Sequence, residues 1–83
     1  MQSLLAYERC KEAIEGQLVA PQTAEFADYD ALIVEKEGRI HRFTGQVDSD
    51  NRLGVPLRLN FTCAIEENEE GAFRVNSAVV ADP

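Results

Sequence analysis

Ala6, Cys10, Ala13, Ile14 and Leu18 recur at spacings of three and four residues, with Tyr7 beside them. Glu8, Arg9, Lys11, Glu12 and Glu15 fill much of the opposite face. This spacing predicts an amphipathic helix from about Ser3 to Leu18. Ser3 is the N-cap candidate, because its hydroxyl can accept from a free amide of the first turn. Gly16 weakens the last turn by up to about 1 kcal/mol relative to alanine. Pro21 stops any continuation, since the residue before a proline avoids the helical region.

Beyond Pro21 the pattern changes to strands. Pro21–Phe26 reads as a tight connector, with Phe26 and Tyr29 as anchors into the core. Ala31–Lys36 is rich in β-branched residues and stops at Glu37-Gly38, a hairpin-type turn. A second strand runs from Arg39 to Val47, with Phe43, Gly45 and Val47 on one side. A glycine inside a strand marks a bulge or a close approach, here expected where the helix crosses. Asp48–Gly54 reads as a polar loop. Leu57, Leu59, Phe61, Cys63 and Ile65 then alternate with polar residues, the clearest strand signal in the chain. Glu66–Gly71 is an acidic turn, and Ala72–Val80 the last strand, with Phe73, Val75 and Val79 expected inward. Four strands joined by short turns make an antiparallel meander. One face of it needs cover, and the helix is the only candidate. The expected fold is therefore α+β: a single domain over residues 1–83, one N-terminal helix packed on a four-stranded sheet.

The chain has two cysteines, one on each expected inner face. Cys10 lies on the helix stripe and Cys63 on the apolar side of the regular strand, so packing the two elements lets the sulfurs meet. A bond there would close a loop of about 50 residues, adding on the order of 4 kcal/mol in the chain-entropy account. The alternative is a pair of buried free thiols acting as small apolar side chains. An 83-residue chain buries only about 60% of its unfolded surface, so a staple would matter.

Fifteen acidic residues against eight basic ones give a net charge of −7. Binding to a nucleic-acid backbone needs a basic stripe, so direct nucleic-acid recognition is disfavoured. Adhesion to an anionic membrane is disfavoured for the same reason. No apolar run reaches the roughly 20 residues needed to span a bilayer, so no membrane insertion is expected. The first ten residues lack a basic region and do not read as a signal peptide. That leaves a cytosolic protein or a trimmed mature form. An acidic surface fits a basic protein partner, or simply keeps the domain soluble.

Candidate chemistry is sparse. Asp48-Ser49-Asp50-Asn51 starts like a calcium loop, but Arg52, Leu53 and Leu59 fall where ligands and the turn glycine belong. Asp48, Asp50, Asn51 and Arg52 remain as a candidate partner-binding loop. Glu66, Glu67, Glu69 and Glu70 read as a solvated turn. His41, the single histidine, is expected on an exposed strand face, with neither a zinc set nor a triad around it. Asn60-Phe61-Thr62 matches a glycosylation sequon, a three-residue pattern of little specificity. There is no CxxC pair, no glycine-rich phosphate loop and no serine-nucleophile motif. No enzymatic activity, cofactor or metal is expected.

Three segments in order carry a resemblance: Cys10–Phe26, Phe43–Gly54 and Leu59–Cys63. The chain resembles a group of small uncharacterised domains of bacterial secreted proteins and lipoproteins and of phage genes. In that group a Cys-bearing helix leads into a Leu-x-x-Pro-x-(Ser/Thr)-Ala-x-Phe connector, here Leu18 to Phe26. A Gly-x-Val-x-x-x-Asn-x-x-Gly segment follows, here Gly45, Val47, Asn51 and Gly54, and then an aromatic-x-Cys strand, here Phe61 and Cys63. The resemblance implies an α+β fold with Cys10 and Cys63 paired, and no named activity. The chain departs from the pattern in Asp48 and Asp50 and in lacking a visible export signal. Two functions follow as expectations. One is a disulfide-stapled, non-catalytic binding module working outside the cytoplasm. The alternative is a phage- or mobile-element-encoded acidic inhibitor of a host nucleic-acid-binding protein, acting in the host cytoplasm.

Overall fold

The computed structural model describes residues 2–81. One helix, α1 (Gln2–Glu15), precedes five strands: β1 (Glu25–Phe26), β2 (Ile33–Glu37), β3 (Ile40–Asp50), β4 (Pro56–Glu67) and β5 (Phe73–Ala81). All pairings are antiparallel. The strands β3, β4 and β5 lie in sequence order, and β1 and β2 share the outer edge of β3. The expected meander is therefore present, with a fifth, two-residue strand added by the connector.

The helix is shorter than its apolar stripe. Gly16 N donates to Glu12 O at 3.3 Å, the last helical bond. Gln17 N and Leu18 N then bond three residues back, at 2.9 and 3.2 Å, so the chain tightens and leaves the helix. Gly16 offers little helical preference at the point where Pro21 requires an exit. The helix also includes Gln2, so Ser3 is not its cap; its hydroxyl lies 3.3 Å from His41 Nδ1.

Ala6, Tyr7, Cys10 and Ile14 of α1 pack on Phe43, Val47, Phe61, Cys63 and Ile65. Phe61 is central. Its ring stacks near Tyr7 at 6.4 Å and meets Phe26 edge-on at 5.9 Å. Gly45 lies opposite Phe61 in the ladder. A Cβ at Gly45 would sit 2.5 Å from Leu32 Cδ2 and 3.2 Å from Phe61 Cζ. The close approach expected at Gly45 is thus real, but Leu32, just before β2, and Phe61 of β4 make it, not the helix.

Cys10 and Cys63 form a disulfide, with Cα atoms 6.1 Å apart and a sequence separation of 53. Both are fully buried.

Three expectations about facing are corrected. Val75 pairs with the buried Ile65 but is itself 38% exposed and lies outside the core cluster. Leu57 keeps the parity of the inner face but is 39% exposed, because it lies beyond the helix. Val79 points to the open face and is 57% exposed. The register jumps from Ala64↔Ser77 to Ile65↔Val75, leaving Asn76 as an extra residue. That bulge reverses the parity of everything after it, so Ala78 and Val80 face the core instead.

Strand β3 also continues through Asp48–Asp50, which the sequence reading placed in a loop. Cross-strand and connector bonds hold it extended. Arg58 opposite Asp48 makes a two-pronged bond, Nε to Oδ1 at 2.8 Å and Nη2 to Oδ2 at 3.1 Å. Asp50 N donates to Thr23 Oγ1 at 2.9 Å, and Ser49 Oγ donates to Ala20 O at 3.2 Å.

Candidate functional site

The lengths of the elements place an opening at one end of the molecule. The 14-residue helix spans about 21 Å. The 12-residue β4 spans about 40 Å. Ser3 reaches the His41 end of the sheet, Cys10 the middle at Cys63, and Gln17 reaches Ala78. The helix therefore ends before the β3–β4 hairpin does. Past it, a groove of about 440 Å³ opens beneath Leu18 and Val19, floored by Leu57, Leu59 and Val80. Asp50 is the single charged side chain among the residues lining it. Leu53, at 86% exposed, and Val55 project from the adjoining hairpin tip, and Val19 is exposed on the connector. Apolar side chains are thus gathered at one open end of the molecule.

The four residues singled out as a binding loop take different roles. Asp48 sits on β3, where its hydrogen bonds from Arg58 hold its carboxyl below the usual carboxylate range. The same pairing raises the Arg58 guanidinium. Asp50 lines the groove. Asn51 folds the hairpin tip: its Oδ1 accepts from Leu53 N at 2.8 Å and Val55 N at 3.0 Å. Arg52 is exposed at the tip.

A second constellation lies at the opposite end and was missed. His41 is wholly buried, not exposed as its strand position suggested. Its Nε2 faces Glu67 Oε1 at 3.4 Å and its Nδ1 faces Ser3 Oγ at 3.3 Å. A carboxylate only accepts, so Nε2 carries the proton towards Glu67, and in the neutral ring Nδ1 accepts from the Ser3 hydroxyl. Phe43 lies parallel to the ring at 6.4 Å and Phe73 edge-on at 6.2 Å. Serine, histidine and glutamate are the residue types of a nucleophilic triad. Here the ring has no exposed surface, so no substrate reaches it in this conformation, and the group ties the helix start to the sheet. The signal was in the sequence: His41 shares the parity of Phe43 and Val47, and Glu67 that of Ile65.

Tyr7 is buried beneath the connector and its hydroxyl donates to Ala27 O at 2.7 Å. Burial, with Glu8 and Asp28 nearby, pushes its phenol up to about 12. Among the described residues no helix is long and apolar enough to cross a membrane. Among the described residues no group of three or more potential ligands is placed to hold a metal ion.

Comparison of the chain with protein-family models, curated proteins and solved structures returns no match.

Proposed function

We propose that this domain is a non-catalytic binding module, stapled by Cys10–Cys63, that works outside the reducing cytoplasm and contacts a protein or peptide through the groove end. The groove carries this reading. Leu57, Leu59 and Val80 form an apolar floor that the fold leaves open, next to Val19, Leu53 and Val55, which are exposed. Such a floor with a few polar groups around it suits recognition of apolar side chains. The buried disulfide agrees with an oxidising compartment, where such bonds persist. Of the three residues that resemble a triad, the histidine has no exposed surface, which agrees with a role other than catalysis.

The test is selection from a random displayed-peptide library on the immobilised, oxidised protein. Binders are expected on the native surface and not on Leu57→Asp, a substitution at the half-exposed part of the groove floor whose folding is checked by its melting curve. Peptides that bind both proteins equally, or no binders at all, would overturn the reading.

A second reading has its own observation. Glu66, Glu67, Glu69 and Glu70 gather at the β4–β5 turn, and Arg39 reaches Glu69 at 3.7 Å from the neighbouring turn. This acidic end is the surface an inhibitor of a basic, nucleic-acid-binding host protein would present. Binding there would weaken steeply with salt and would survive Leu57→Asp.

A further inference from the structure

The two edges of the sheet are unequal. On one side β1 has only two residues and β2 carries Glu35, Lys36 and Glu37. Short length and charge are the usual protections of an edge. On the other side β5 ends in Ser77-Ala78-Val79-Val80-Ala81, with no charge, proline or glycine.

The hydrogen-bond alternation fixes what this edge displays. Ala27 N donates to Gln46 O, so the main-chain groups of Gln46 face away from β4. Counting across the ladders, Asn60, Thr62 and Ala64 turn theirs to β5, and Ser77, Val79 and Ala81 turn theirs back. Ala78 and Val80 therefore aim their N–H and C=O groups outward. One of these groups is occupied: Gln17 Nε2 donates to Ala78 O at 2.6 Å. Gln17, Val80 and Ala81 also line the groove, so the free edge and the apolar groove adjoin.

We propose that the β5 edge receives an extended, basic peptide as an added strand, with an apolar side chain of that peptide entering the groove. Main-chain bonds to Ala78 and Val80 hold the peptide, and the groove selects its alternate side chains. The chain's net charge of −7, with Asp50 as the groove's one charged side chain, favours a cationic segment. The Gln17 amide acts as a removable guard on the edge. The proposal rests on the binding-module reading and names the class of partner.

The probe is acetyl-KTVTLTVTK-amide, titrated into the isotope-labelled, oxidised protein. Slowed exchange of the Ala78 and Val80 amides is expected. Methylating alternate backbone nitrogens of the probe should weaken binding at least about tenfold, some 1.4 kcal/mol. Replacing its lysines with glutamates should do the same at low salt. Gln17→Ala should bind the probe as well or better, because Ala78 O is freed. Equal binding of the methylated probe, or shifts confined to Val19, Leu53 and Val55, overturns the edge proposal and leaves the binding module standing. So does a library that yields groove binders while the probe stays silent. Self-association of the protein without peptide overturns it in favour of a second copy. Silence of both library and probe overturns both readings.

Discussion

Phe61 joins helix, connector and sheet, because Tyr7 and Phe26 lie against its ring and the ladder places it opposite Gly45. Its removal leaves a hole that Tyr7, Phe26 and Gly45 cannot close. Phe61→Ala is expected to cost about 3–5 kcal/mol, read by urea unfolding. Glu69→Ala, in an exposed turn with only a 3.7 Å pairing to Arg39, should change stability by less than about 0.5 kcal/mol. Similar costs would mean that the inner face is misassigned. Tyr7 gives a second residue-level test. Its folded pKa, raised from 10.0 to about 12, means that the folded state holds the phenol proton more tightly. The associated stability is complete below pH 10 and is lost as pH rises towards 12. Unfolding curves between pH 9 and 12 should show this decline in the native protein, and a shallower one in Tyr7→Phe.

At the scale of elements, the two long hairpins turn by the same device. Asn51 Oδ1 accepts from Leu53 N and Val55 N, and Asn68 Oδ1 accepts from Glu70 N and Ala72 N. Gly54 and Gly71 follow three residues after each asparagine, at φ of 79° and 84°. The asparagine replaces the missing ladder partner, and the glycine takes a left-handed conformation that costs other residues about 1–2 kcal/mol. Gly54→Ala and Gly71→Ala should each lose about that much in thermal unfolding, with the ladder intact by amide exchange. An added Cβ meets nothing within 4 Å at either glycine, so a much larger loss would contradict a purely backbone cause. The same Asn-x-x-Gly spacing at 51–54 and 68–71 is readable in the sequence. The bulge at Asn76 is not, because which residue is squeezed out depends on how β5 meets β4.

The molecule is elongated, 44 × 21 × 18 Å, with the groove and the acidic turns at opposite ends of the long sheet. A helix half the length of its hairpin leaves a thin core, and the disulfide fastens its middle. Because the bond closes 53 residues, reduction should remove about 4 kcal/mol. At about 4–8 °C per kcal/mol for a domain this small, the melting temperature should fall by about 15–30 °C. Calorimetry of oxidised and reduced protein checks this. Equal melting would show that packing alone holds α1 to the sheet.

The sequence by itself determined the helix stripe, the alternation of β4, the turn residues and which two sulfurs could meet. Each is encoded in the spacing of neighbours along one element. The tertiary structure decided the rest. His41 is enclosed only because Phe73 and the start of α1 arrive from other parts of the chain. Val79 faces outward only because a bulge shifted its register. Leu57 and Leu59 floor a groove only because α1 stops short of the hairpin tip. Periodicity says which side of an element is apolar, whereas cover depends on the lengths and meeting points of elements far apart in sequence.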